Sequence, residues 1–285
     1  MAVARPASTV VLLRPSATRF DVFLVKRHES TAFMGGAHVF PGGRVDPRDR
    51  LEHPREVSDG VDAAIARMPN LEPIDTVAYF VAAVRELFEE AGVLLARDAA
   101  GAPVALGDER WGAYRAALSA PTMALADVAA RERIRLALDT LVPFAHWITP
   151  EEETKRFDVR FFMAALPSGQ EPSHDRGEMS EGVWLDPSAA IEQGRADAIA
   201  LPPPTWTTLR MLERLTSVER ALAWAREQPL VAVRPRITDE EGVRRLTLPG
   251  DPAHPAIPGF ETPAETRFVL DDRRWRPVKP GREER

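Results

Sequence analysis

Glu86, Glu89 and Glu90, bunched near the end of one predicted helix, are the residues best spaced for chemistry in this chain. Residues three and four apart on a helix share a face, so the three carboxylates can converge. Like charges at that spacing oppose a helix by roughly 0.2–0.5 kcal/mol per pair. The negative end of the helix dipole adds a similar penalty of about 0.3–1 kcal/mol. Arg85, four residues before Glu89, offsets only part of this. Such a bunch is either a solvated acidic face or a seat for a hard divalent cation. Those ions want clustered carboxylate oxygens, and Mg²⁺ commonly adds substrate phosphates to a few carboxylates. The arrangement costs stability without the ion and is useful with it.

The carrying helix is well marked. Asp75 is a good N-cap, Gly92 a good stop, and Val77, Phe80, Val81, Val84, Leu87 and Phe88 form one apolar stripe between them. Upstream, Thr9–Leu13 and Val22–Val25 predict a hairpin, and Gly36–Phe40 a short strand stopped by Pro41-Gly42-Gly43. The polar, proline-broken stretch 44–75 predicts an irregular insertion with at most a short helix around Val61–Arg67. Downstream, the pattern predicts helices over Trp111–Ser119 and Leu125–Ala137, strands over Phe157–Leu166 and Gly182–Leu185, and a short helix over Pro187–Glu192. A second amphipathic helix starts at Pro204 or Thr205, with Trp206, Leu209, Leu212, Leu215, Val218 and Leu222 as a core stripe. Weak strands follow at Leu230–Val233 and Val243–Leu248. Strands before, between and after helices indicate a mixed α/β fold.

Composition narrows the field. A net charge of −6 gives no basic face for nucleic acid. The absence of cysteine excludes disulfides, thiol nucleophiles and cysteine-held zinc. No apolar run approaches the length of a membrane span, and Val10–Leu13 is too short for a signal-peptide core, so a cytoplasmic protein is expected.

Arg85-Glu86-Leu87-Phe88-Glu89-Glu90-Ala91-Gly92-Val93 resembles the R-E-U-x-E-E-x-G-U half of the Nudix box at every specified position, and Phe40-Pro41-Gly42-Gly43 resembles the segment that opens it. The usual box sets its first glycine fourteen residues before the arginine. Here Gly43 and Arg85 stand 42 positions apart, so an insertion of 28 residues splits the motif. The glutamate expected six after the glycine is Asp49, whose role stays open. With Phe20–Arg27, Ala37–Asp46, Arg156–Phe162 and Leu201-Pro202-Pro203-Pro204, the split box resembles the subgroup of the peroxisomal coenzyme A diphosphatase.

The resemblance implies a Nudix fold, a mixed sheet sandwiched between helices, spanning residues 1–230 with the insertion at 44–75. Residues 231–285 are expected to be an extension packed on the same domain. It implies Mg²⁺ or Mn²⁺ held by Glu86, Glu89, Glu90 and the Gly42 carbonyl, with Arg85 orienting a glutamate and Gly43 beside the substrate. The water-activating base is Glu178, Glu181 or Glu86, the first two in a loop that also holds Asp175. Arg156 and Arg160 are candidates to hold phosphate or to form structural ion pairs. Lys26 and Arg27 are candidates for a substrate contact or a solvated strand end, and His38, His146 and Trp147 for a base pocket or the core. The implied reaction is hydrolysis of a small-molecule diphosphate, first coenzyme A or acyl-CoA, alternatively ADP-ribose or NADH. A non-catalytic binding module is the reading from another class. Neither nucleic acid nor membrane is expected as a partner, and a homodimer is an open alternative.

Overall fold

The computed structural model describes residues 2–29, 34–173 and 179–278. A mixed sheet organises the chain. Its strands run in the order Met179–Leu185, Phe20–Arg27, Arg5–Pro15, Phe157–Ala165, Val142–Ile148 and Ala232–Val233. Arg5–Pro15 pairs with Phe20–Arg27 as the expected antiparallel hairpin and with Phe157–Ala165 in parallel, Arg5 opposite Phe157 through Leu13 opposite Ala165. Two short strands, His38–Val39 and Gly42–Arg44, attach to Phe20–Arg27 and Arg5–Pro15 respectively.

The sheet separates two apolar layers, because alternate side chains of a strand leave on opposite faces. Val10 and Leu12 join the layer of the Pro73–Ala91 helix, where Phe80 packs edge-on against Phe162 at 4.8 Å. Val11 and Leu13 join the layer of Ile191, Trp206, Leu209 and Ala221 on the helices Pro187–Arg195, Pro203–Leu212 and Val218–Glu227. The sheet is thus sandwiched between helices, as the Nudix resemblance implies. A separate antiparallel sheet follows at the C-terminus: Arg236–Glu240, Val243–Thr247, Arg267–Asp271 and Arg274–Val278. Its Ile237, Leu246 and Phe268 join the second apolar layer.

Several expected boundaries shift. The acidic helix starts at Pro73, with Glu72 as N-cap, so Asp75 lies inside it and pairs with Arg50 at 2.7 Å. Proline is suited to the first helical position, where its missing N–H has no intrahelical partner to lose. Gly92 ends the helix in the left-handed conformation, as expected. The expected helix Leu125–Ala137 stops at Glu132, where Arg133 turns left-handed (φ 53°) and sends Arg135–Ala137 into a small sheet with Ser58–Asp59 and Ala96–Arg97. The expected second amphipathic helix is two helices. The break falls at 213–217, where the Ser217 side chain accepts a hydrogen bond from the Arg220 N–H and starts Val218–Glu227 as a new helix. The stripe is shared by both, so its spacing gives no hint of the break. Within the insertion, the helix Val61–Arg67 forms as expected, joined by Pro54–Val57 and a 3₁₀ turn at Pro47–Asp49.

Candidate active site

The helix Pro73–Ala91 lies across the Arg5–Pro15 strand, so its last two turns reach the Gly42–Arg44 strand. This close approach depends on glycine. A Cβ on Gly43 would stand 2.5 Å from a carboxylate oxygen of Glu86, and one on Gly42 would stand 2.3 Å from the Ser8 carbonyl oxygen. The Gly42 N–H donates to Glu90 Oε2 at 2.7 Å. The two halves of the split box therefore meet through space, with Glu90 buried at the seam.

Arg85 sits at the centre of the acidic residues. Its Nη1 donates to Glu86 Oε1 at 2.8 Å and to Glu89 Oε1 at 3.0 Å. Its Nε and Nη2 clasp both oxygens of Asp49 at 2.9 Å each, and Nη2 also donates to the Arg44 carbonyl at 2.8 Å. Such bidentate arginine–carboxylate pairing fixes geometry as well as charge. Asp49, left open by the sequence, is thus the buried residue that holds Arg85 from the insertion side. Its own position is fixed by the 3₁₀ turn, where the Asp46 N–H donates to Asp49 Oδ2 at 2.7 Å. The signal in the sequence was an acid at the position where the box expects glutamate.

Burial opposes the charge on Arg85, yet the hydrogen bonds and charges of the surrounding carboxylates, Asp49 foremost, hold its pKa above the ordinary arginine value. Glu86 is pushed up to about 7, by burial first and by the Glu89 charge, against the pull of Arg85. The folded protein then binds a proton that the unfolded chain releases above the ordinary value of 4.5. In the metal-free protein this group's contribution to stability therefore falls as pH rises from about 4.5 to about 7. Glu86→Gln removes the penalty. It is expected to stabilise the metal-free protein by about 3 kcal/mol at pH 8 and by under about 1 kcal/mol at pH 5. Thermal unfolding in EDTA at both pH values tests this, and an equal shift at the two counts against it.

Among the described residues, no three His, Asp or Glu side chains already stand in metal-binding geometry. The Arg85 guanidinium bridges Glu86 and Glu89 instead. The donor set still fits a hard divalent cation: Asp49, Glu86 and Glu89 gather around one arginine, and Arg85, Glu86, Glu89, Glu90, Gly42 and Gly43 line one cleft of about 700 Å³.

The remaining candidates divide. Arg27 lines the cleft. Arg156 does not, and instead donates to the carbonyls of Thr149 and Ala2, at 3.2 and 2.8 Å, tying strand ends together. Arg160 is buried against Asp158 and lies over the Tyr79 ring at 5.1 Å, so it is structural. His146 Nε2 meets Asp158 Oδ1 at 2.8 Å, and Lys26 pairs with Glu29 at 3.3 Å. His38 is buried, which lowers its pKa. Trp147 packs in the second apolar layer, edge-on to Phe260. Glu181 is exposed on the edge strand Met179–Leu185 and does not line the cleft. Glu178 and Asp175 lie outside the described residues.

The chain is similar to known proteins in sequence and fold. Residues 65–212 match the model of the NUDT19 Nudix domain. The chain is 25% identical over 292 residues to the acyl-coenzyme A diphosphatase NUDT19 of Xenopus laevis, covering 87% of this chain and 74% of the relative. It is 30% identical over 245 residues to the human protein of that name, covering 72% and 63%. Among solved structures it resembles a NUDIX hydrolase from Alicyclobacillus acidocaldarius, with a TM-score of 0.63 and 26% identity over 78% of this chain and 97% of that one. With a glutamate helix closed on a glycine strand, a sheet between helices and a family match over half its length, the chain belongs to the NUDT19 Nudix domain family and is a Nudix hydrolase.

Proposed function

We propose that this protein hydrolyses the diphosphate of coenzyme A or an acyl-CoA, giving 3′,5′-ADP and (acyl-)phosphopantetheine, with Mg²⁺ or Mn²⁺ at Glu86, Glu89 and Glu90. The observation that carries the reading is the cleft in which these glutamates meet Gly42 and Gly43, in a chain whose relatives include acyl-coenzyme A diphosphatases. The bound ion would neutralise charge on the phosphates and make a water easier to deprotonate. Glu86, Glu89 and Glu90 would hold that ion, Arg85 and Asp49 fix the spacing of the glutamates, and Gly43 and Gly42 make room for Glu86 and for the neighbouring Arg5–Pro15 strand. For the proton of the attacking water, Glu86 lines the cleft and Glu181 does not, which favours Glu86 over Glu181 among the described acids. Glu178 stays a candidate from the sequence.

The rest of the cleft suits a polyanion. Arg5, Arg27, Arg44 and Lys155 line it, and none makes an ion pair with a described residue. Cations around an acidic centre attract phosphates that the net charge of the chain would otherwise repel. No helix among the described residues is long and apolar enough to cross a membrane.

Incubation with Mg²⁺ and a panel of CoA, octanoyl-CoA, ADP-ribose and NADH tests the proposal. Release of 3′,5′-ADP from CoA or octanoyl-CoA is expected at a kcat/KM at least tenfold above that for ADP-ribose or NADH. Turnover of ADP-ribose or NADH without attack on either CoA compound would instead establish a nucleotide pyrophosphatase of the second kind.

A further inference from the structure

An apolar chamber of about 200 Å³ adjoins the glutamate cleft. Thr9, Arg27, Gly42, Phe157 and Val159 line both spaces. The chamber walls include Phe40, Trp147 and Phe161 on one hand, and Ile237, Leu246 and Trp275 of the C-terminal sheet on the other. The last three lie beyond the segment 65–212 that the family model matches. A concave apolar space beside a polar cleft is the usual form of a ligand site rather than a packing defect. At the junction, Arg27 Nε is buried and has no hydrogen-bond partner among the described residues. A bound acceptor would satisfy it.

We propose that this chamber receives the acyl chain of a thioester substrate, and that Ile237, Leu246 and Trp275 set the chain length it accepts; this rests on the acyl-CoA reading above. The parts of such a substrate differ sharply in what they tolerate. The diphosphate, ribose and pantetheine amides carry polar groups that are costly to bury among apolar walls without partners. They match the larger cleft, with its carboxylates and cations. The acyl chain is apolar throughout and gains by leaving water for the chamber. A nucleobase would bury its polar edge along walls that are mostly apolar, where Thr9, Arg27, Thr149, Glu153 and Thr205 are the polar side chains. The unpartnered Arg27 N–H stands where the polar arm gives way to the chain, and matches an amide or thioester carbonyl oxygen as acceptor.

The test is steady-state kinetics of the full chain in Mg²⁺ with CoA and with octanoyl-CoA. Octanoyl-CoA is expected to be preferred at least tenfold in kcat/KM. Ile237→Trp, which fills the chamber, is expected to abolish that preference while holding the CoA value within twofold. Trp275→Ala, at a half-buried position less exposed to misfolding, is expected to move the preference to longer chains such as dodecanoyl-CoA. Equal kcat/KM for CoA and octanoyl-CoA in the unaltered protein overturns the proposal, and so does a parallel loss for both in Ile237→Trp. Both of those results leave hydrolysis of the CoA diphosphate standing. Hydrolysis of ADP-ribose alone would remove the functional reading itself and the chamber assignment with it.

Discussion

Glu89→Gln is expected to lower kcat/KM by about 10²–10³, a loss of roughly 3–4 kcal/mol of transition-state stabilisation, while leaving the fold intact. The side chain faces the cleft from the last turns of the helix Pro73–Ala91 and bonds to Arg85 through Oε1. An amide is nearly isosteric with the carboxylate and can still accept that bond. What it lacks is the negative charge that a hard cation requires of its ligands. The expected pattern is therefore a collapse of turnover with little change in unfolding temperature, and a Mg²⁺ requirement displaced to higher concentration. Activity within threefold of the unaltered protein would remove Glu89 from the metal site and with it the proposed arrangement.

Arg85→Met should strike stability first. The guanidinium is nearly buried, at 11% exposure, and compensates Asp49, Glu86 and Glu89 together. Removing one partner of a buried ion pair leaves uncompensated charge, at a cost of about 3–5 kcal/mol. Methionine keeps much of the volume, so lost charge dominates over lost packing. Three acids without a counter-charge should also bind a divalent ion more avidly for their own relief. Mg²⁺ is accordingly expected to raise the unfolding temperature of Arg85→Met more than that of the unaltered protein, without restoring turnover, since the glutamates lose the bonds that space them. A destabilisation under about 1 kcal/mol, or an equal response to Mg²⁺, would mean that Arg85 is not the keystone of the acidic group.

Local signals made part of this site legible in the sequence. The glutamates, the apolar stripe behind them and Gly92 all act within a few turns of one helix, and the glycines before the insertion mark a place where backbone and side chain come close. What depended on distant partners was not legible. The strand Val142–Ile148, fifth of six in the sheet order, carries Pro143, which argues against a ladder position. The structure accommodates it at an irregularity in register between Pro143 and Ala145. The parallel pairing of Arg5–Pro15 with Phe157–Ala165 joins segments far apart in the chain, and no periodicity reports it. Arg156 has the residue type of a phosphate ligand, and only the positions of Thr149 and Ala2 reveal that its hydrogen bonds go to backbone. Asp49 is of the same kind: its role exists only once the insertion folds back to Arg85.

That closure bears on how much chain such a site can absorb. A segment of 42 positions between Gly43 and Arg85 replaces one of fourteen, yet loop-closure entropy grows only with the logarithm of length. A threefold longer connection costs about 1 kcal/mol, less than the roughly 3–5 kcal/mol cost of breaking a buried pair such as Arg85–Asp49. The exposed bend at Glu52 and His53, between the turn that carries Asp49 and the helix Pro54–Val57, lies after the last residue the clasp uses on that side. Lengthening the chain there would leave both ends of the motif anchored by the Arg85–Asp49 latch and the Gly42–Glu90 bond.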